Sequence, residues 1–111
     1  MPEITNTSRG DAYQVSVVVP MHNEQESVRL FFDHLEPVLE QLDGDYEIVC
    51  VNDGSRDDTL ELLLEENRRN PRIKVIDLSR NFGKEAALTA GLDFAAGDCI
   101  VPIDADLQDP P

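Results

Sequence analysis

Apolar and polar positions along this chain alternate between two rhythms. Residues 15–19, VSVVV, form an unbroken and largely β-branched run, the mark of a strand buried on both faces. Val28, Phe31, Leu35, Val38, Leu39 and Leu42 then recur at three- and four-residue spacing and predict an amphipathic helix. Asn23, with Glu26 three residues on, reads as its capping pair, and Pro37 is expected to kink or split it. Residues 46–52, YEIVCVN, predict a second strand. Leu60, Leu63 and Leu64 mark the buried stripe of a second helix, with Arg68 and Arg69 near its negative C-terminal end. A third strand is predicted over 73–79 and a third helix over 85–96, with Ala87, Leu88, Gly91, Phe94 and Ala95 facing inward. CIVPI, residues 99–103, reads as a fourth buried strand.

Strands alternating with helices of this length imply an α/β fold, a parallel sheet with right-handed crossovers and helices on both faces. The ligand crevice of such a sheet lies outside the carboxyl ends of the strands, where strand order reverses. An order 3-2-1-4 with strand one central follows. The segments after the four strands are Pro20 to Glu24, Asn52 to Ser55, Arg80 to Lys84 and Asp104 to Gln108, so all four polar clusters should share one edge. Cys50 and Cys99 fall in strands two and four. With strand one between them they would sit about 10 Å apart, too far for a disulfide, and both read as reduced core thiols.

Composition narrows the partners. The 111 residues, 41% hydrophobic, suffice for one small domain with a modest core. A formal net charge of -14 argues against nucleic acid, whose phosphates call for Lys and Arg, and a phosphorylated ligand would need a metal or a local cation. Residues 1–13 are polar and aperiodic and read as a flexible tail, leaving 14–111 as the folded part. No stretch approaches the ~20 apolar residues of a membrane span, and the N-terminus lacks a signal-peptide layout. The expected location is cytoplasmic.

Each cluster has an ordinary structural reading beside a chemical one. Asp104 and Asp106 stand one residue apart at a strand end, so their carboxylates would lie on one side. With the neutral oxygen of Gln108 they could hold Mg²⁺ or Mn²⁺ against a diphosphate, or form only a solvated acidic turn. Asp53 could be a turn residue before Gly54, with Ser55 or Asp57 capping the next helix; alternatively its carboxylate accepts from a base N–H or a ribose hydroxyl. Glu24 suits a helix start and His22 a surface. Gly83 and Lys84 open the third helix with free N–H groups and an ammonium, a modest anion site. His34 and the glutamates between 61 and 66 read as helix surface.

Taken in order and spacing, VSVVVPMHNEQESV, VNDGSRDDT, LSRNFGKEAALTAGLDFAAGD and PIDADLQDPP resemble the N-terminal half of the family-two glycosyltransferases. The nearest branch is the one that moves a sugar from a nucleotide onto a polyprenyl phosphate, as bactoprenol glucosyltransferases and dolichol-phosphate mannose synthases do. The resemblance spans about residues 14–111. It implies a Rossmann-like GT-A nucleotide-sugar-binding half. It also implies that Pro20, His22, Glu24, Asp53, Gly83, Lys84 and Asp104 hold the nucleotide, and that Asp104, Asp106 and Gln108 hold Mg²⁺ or Mn²⁺. No catalytic residue is assigned. Many relatives carry an aromatic where His22 stands.

The implied reaction is inverting transfer of a hexose from a UDP- or GDP-sugar, UDP-hexose favoured over GDP-mannose, to a polyprenyl phosphate of the cell envelope, with the complete enzyme at the cytoplasmic face of the membrane. In that family the acceptor-binding segments follow the D-x-D loop. The chain is therefore expected to be the donor- and metal-binding half, inactive alone and either marginally stable or self-associated. The alternative is a non-catalytic nucleotide- or metal-binding or assembly module of the same fold. A receiver-type regulatory domain would need an acidic pair after strand one and a phosphorylatable aspartate after strand three, where this chain has PMHNE and SRNFGK.

Overall fold

The computed structural model describes residues 15–42 and 44–105; the expected tail over 1–13, Asp106 and Gln108 lie outside them. The elements run β1 Val15–Met21, α1 Val28–Glu40, β2 Tyr46–Asp53, α2 Thr59–Arg69, β3 Ile73–Leu78, α3 Lys84–Phe94 and β4 Cys99–Pro102. All pairings are parallel, in the order β3-β2-β1-β4, so strand one is central, as the alternating pattern requires. Strand β1 runs two residues past its β-branched core, which places Pro20 and Met21 in the sheet and not in the loop after it.

Alternate residues of β1 and β2 serve opposite faces. Val17, Val19, Ile48 and Cys50 pack with Val28, Phe31 and Phe32 of α1 and Leu63 of α2. Val18, Val49 and Val51 meet Ala87 of α3, flanked by Leu88, Ala90 and Phe94. Helix α3 lies close because its contact face is small: a Cβ on Gly91 would fall 2.4 Å from Val18 Cγ1.

Several local expectations are corrected. Asn23 and Glu26 do not cap α1, whose N-cap is Ser27 without a side-chain cap; Asn23 is drawn instead to the β2–α2 loop. Helix α1 is not split at Pro37 but continues through it to Glu40, with the ring at an exposed position. The stripes were narrower than their periodicity suggested: Val38 (60%), Leu42 (40%) and Leu64 (39%) are exposed, while Phe32 is fully buried. Glu66 is not surface but 5% exposed, because Arg29 and Arg69 reach it and make its burial tolerable.

Strand β4 is an edge strand, as β3 is at the other side, and is exposed along its length; Cys99 is correspondingly exposed and not a core thiol. Both cysteines are free. Cys50 pairs with Val19 and Cys99 with Val15, so they are offset by about 13 Å along the strands in addition to the lateral spacing. Burial, then the Glu66 charge, pushes the Cys50 thiol far above its ordinary value, which makes it unreactive.

Beneath α3 a buried carboxylate ties the lower end of the sheet. Glu47 is 1% exposed; it accepts from the Ser16 hydroxyl at 2.6 Å and the Ala96 N–H at 2.8 Å. Lys74 Nζ stands 3.6 Å away, and Gly97 N–H donates to Ser16 Oγ at 2.7 Å. The α3–β4 connection is thereby fixed to β1 and β2, and with it the start of β4.

Candidate functional site

The loops at the carboxyl ends of the strands are joined by side chains that the sequence placed there without showing their partners. Asn23, with φ of 54°, is a non-glycine residue in the left-handed region. Its conformation is held from both sides: its N–H donates to Ser55 Oγ at 2.9 Å, and its Oδ1 accepts from Arg56 N–H at 2.8 Å. Glu24 N–H donates to Thr59 Oγ1 at 2.8 Å and Gln25 N–H to Asp57 Oδ2 at 3.3 Å. Asp57 also accepts from Thr59 N–H at 2.9 Å, so it supports the start of α2, one of the two residues expected to do so. Burial raises the Asp57 carboxyl, but the hydrogen bonds from Thr59 and Gln25 outweigh it and hold the group below its ordinary value.

Asp53 closes the second connection. It is 3% exposed, and its two carboxylate oxygens accept from Phe82 N–H at 2.8 Å and Gly83 N–H at 3.1 Å. The residue read as a turn former or a ligand contact thus clasps the β3–α3 loop. Its carbonyl accepts from His22 Nδ1 at 2.8 Å. That bond puts the proton on Nδ1 and leaves Nε2 to accept from the Asn23 amide at 3.2 Å, while the Asn81 amide nitrogen lies between the ring nitrogens, 3.0 Å from Nδ1 and 3.2 Å from Nε2. Gly54, φ 66°, allows the approach of the two loops: a Cβ there would lie 2.2 Å from Asn81 N and 2.4 Å from Arg80 C.

Around these contacts is a cleft of about 340 Å³ whose lining includes Pro20, His22, Glu24, Asp53, Gly83, Lys84 and Asp104. All seven residues singled out as nucleotide-binding in the sequence therefore border one cavity, at the crevice where β1 hands over to β4. Lys84, the first residue of α3, crosses it to pair with Asp104 Oδ1 at 2.7 Å. Met21, Asn81 and Ala105 complete the wall; they were not singled out, and Asn81 gave no signal beyond lying in a polar loop.

A wider cleft of about 730 Å³ adjoins it through His22 and Asn81 and extends between the β2–α2 and β3–α3 loops. Asn52 and Asp77 lie in its lining, with Asn52 Nδ2 donating to Asp77 Oδ1 at 2.9 Å. A carboxylate only accepts, which fixes the amide orientation. Asn52 Oδ1 is left buried without a partner among the described residues.

Fit to a divalent cation can be judged at Asp104 alone. It offers a hard carboxylate oxygen on the cleft rim and already attracts a cation, the Lys84 ammonium. Among the described residues no group of three ligating side chains stands together, and the other two expected ligands, Asp106 and Gln108, are outside them.

Comparison with known proteins agrees with the fold. Residues 16–111 match the family model described as Glycosyl transferase family 2. The chain is 53% identical over 98 residues to an uncharacterized glycosyltransferase of Synechocystis, covering 88% of this chain and 31% of that one. Against the bactoprenol glucosyl transferase of Shigella phage SfV it is 43% identical over 97 residues, covering 87% and 31%. The solved mannosyltransferase of Pyrobaculum calidifontis, in complex with GDP-Man and Mn²⁺, superposes with a TM-score of 0.73 at 26% identity, over 89% of this chain and 29% of that one. The chain thus spans less than a third of the length of each of these three proteins.

Proposed function

This chain belongs to glycosyl transferase family 2, and from that premise and the geometry above we propose that it supplies the donor- and metal-binding part of an inverting glycosyltransferase. The donor is a UDP- or GDP-hexose, UDP-hexose favoured, and the acceptor a polyprenyl phosphate. The observation that carries the reading is the convergence of Pro20, His22, Glu24, Asp53, Gly83, Lys84 and Asp104 on one cleft at the strand-order reversal. Likeness to a bactoprenol glucosyl transferase supports the acceptor class, and a relative solved with GDP-Man and Mn²⁺ supports a nucleotide-sugar donor and a divalent ion.

In this reading an oxygen of the acceptor phosphate attacks the anomeric carbon from the face opposite the nucleotide. The bond from that carbon to the diphosphate breaks, and the electron pair leaves with the nucleoside diphosphate. The acceptor is already ionised, so alignment matters more than a general base. Asp104, with Asp106 and Gln108, would hold Mg²⁺ or Mn²⁺, and such an ion, when bound, would offset the charge developing on the leaving group. Lys84 would place its ammonium beside the same phosphates. Asp53 acts on the nucleoside side: it holds the Phe82–Gly83 backbone in place and keeps lone pairs free to accept from a base or ribose. The complete enzyme would work at the cytoplasmic face of the membrane, where a lipid-borne acceptor meets a soluble donor.

Calorimetric titration of the chain with UDP and GDP, each with and without Mn²⁺, tests the proposal. We expect UDP binding that Mn²⁺ strengthens. Asp53→Ala should weaken nucleotide and nucleoside binding alike, whereas Asp106→Ala should weaken only the Mn²⁺-dependent diphosphate contribution. Absence of nucleotide binding under every condition refutes the donor site, and equal losses in both variants refute the division of roles.

A further inference from the structure

We propose that Lys84 is an exchangeable internal counter-ion, which occupies Asp104 while the divalent ion is absent and turns to the diphosphate when the ion arrives. The inference rests on the reading of Asp104 as a metal ligand. Lys84 Nζ lies 2.7 Å from Asp104 Oδ1, and both residues line the smaller cleft. The carboxylate that would receive the ion therefore already carries a cation. Their side chains are 67% and 64% exposed, and ion pairs that open to water contribute little net stability. This contact can be surrendered at small cost.

What stays fixed is the base of the lysine. Gly83, just before it, has its N–H held by Asp53 Oδ2 at 3.1 Å, and Phe82 has its N–H held by Oδ1 at 2.8 Å. The Lys84 backbone is thus anchored, while its four-carbon stem and point-like ammonium remain able to redirect. In a chain with nine Lys and Arg against 23 Asp and Glu, a cation placed on the cleft rim also limits carboxylate repulsion before a ligand enters. Metal and ammonium then compete for Asp104, and the displaced ammonium faces incoming phosphate.

The consequence is a pair of opposite effects from one residue. Removing the ammonium with Lys84→Met should tighten Mn²⁺ binding in the absence of nucleotide by about 1.4- to fivefold, the range set by an exposed ion pair. The same change should weaken UDP binding at saturating Mn²⁺. Lys84→Arg keeps the charge and should stay near wild type for Mn²⁺ alone.

Mn²⁺ titrations of the 111-residue chain, followed by the electron paramagnetic resonance of the free ion, read the first effect directly. Calorimetry with UDP reads the second. In an Asp104→Asn background, Lys84→Met should no longer change Mn²⁺ affinity. If Asp104→Asn binds Mn²⁺ as well as the wild type, or the wild type binds none, the metal reading fails and this inference with it. If Asp104 does bind Mn²⁺ yet Lys84→Met leaves that affinity unchanged or lowers it, the exchange alone is overturned.

Discussion

Replacing Gly54 with alanine should damage both the fold and the site, and the structure sets the size of the effect. The new Cβ would sit 2.2 Å from Asn81 N, 2.4 Å from Arg80 C and 2.8 Å from Asn81 Cα. These are backbone atoms, so no rotamer change relieves the contact. The left-handed backbone at φ 66° adds ~1–2 kcal/mol for any residue with a Cβ. To reach ordinary contact distance the β3–α3 loop must retreat by more than an ångström. That retreat disrupts at least one of the hydrogen bonds that Phe82 and Gly83 donate to Asp53, each worth ~1.5–3 kcal/mol to a charged acceptor. The sum is about 3–5 kcal/mol, a large share of the ~5–15 kcal/mol available to a small domain. Urea denaturation measures it, and the amide resonances of Asn81, Phe82 and Gly83 report whether the loop moved. A loss under about 1 kcal/mol with unshifted resonances would refute the claim that close approach at Gly54 holds the two loops together.

Glu47→Ala should destabilise the chain by about 3–5 kcal/mol, as loss of one partner from a buried charged network does, with amide exchange rising first at Ala96 and Gly97, whose N–H groups depend on it directly and through Ser16; exchange unchanged there would show that the carboxylate does not fix the α3–β4 connection. Asp57, held below its ordinary value of 3.8, contributes stability that is present above pH 3.8 and lost as pH falls through its lower folded value. Asp57→Asn should therefore flatten the acid limb of a stability–pH curve measured by denaturant titration, and an unaltered slope below pH 4 would count against the Thr59 and Gln25 contacts as its cause. Self-association through β4 should be limited by Pro102. Ile103 N–H donates to Val18 O at 3.0 Å, so by strand alternation Pro102 faces outward, where it has no N–H to give. Pro102→Val should raise the association seen by sedimentation velocity, and no change would show that this edge is not the contact surface.

What could be read from the chain was what depends on local pattern. The β-branched runs of β1 and β2 and the short connections were enough to order the strands, because a parallel sheet with right-handed crossovers leaves few alternatives. The same topology sent four polar loops to one edge, and His22, Asp53, Lys84 and Asp104 meet there. Hidden features were those created by approach across the fold. Nothing near Gly54 in sequence announces that Asn81 will lie against it, and nothing near Asn23 says that Arg56 will hold it in a left-handed conformation. Nothing near Glu47 in sequence announces that Ser16, Lys74 and Ala96, from three other segments, will make its burial acceptable. Helical periodicity overstated the core at Val38, Leu42 and Leu64 because spacing defines a face but not how far the opposing surface extends. Strand β4 misled for the same reason: an apolar sequence does not supply the neighbour that would cover it.

The site is built with unequal stiffness on its two sides, and this bears on how it would use binding energy. On the side proposed for the nucleoside, Asp53, His22, Asn23, Asp57 and Thr59 join three loops through hydrogen bonds that are largely satisfied within the protein. A ligand arriving there meets groups already in position, so little ordering cost is added. On the side proposed for the diphosphate, Lys84 and Asp104 form an exposed ion pair at the end of an edge strand. That side can rearrange as charge enters. In the proposed reaction, rigid recognition of the part of the donor that does not react, beside an adaptable electrostatic end where bonds break, would let fixed contacts hold the substrate while charge compensation follows the leaving group.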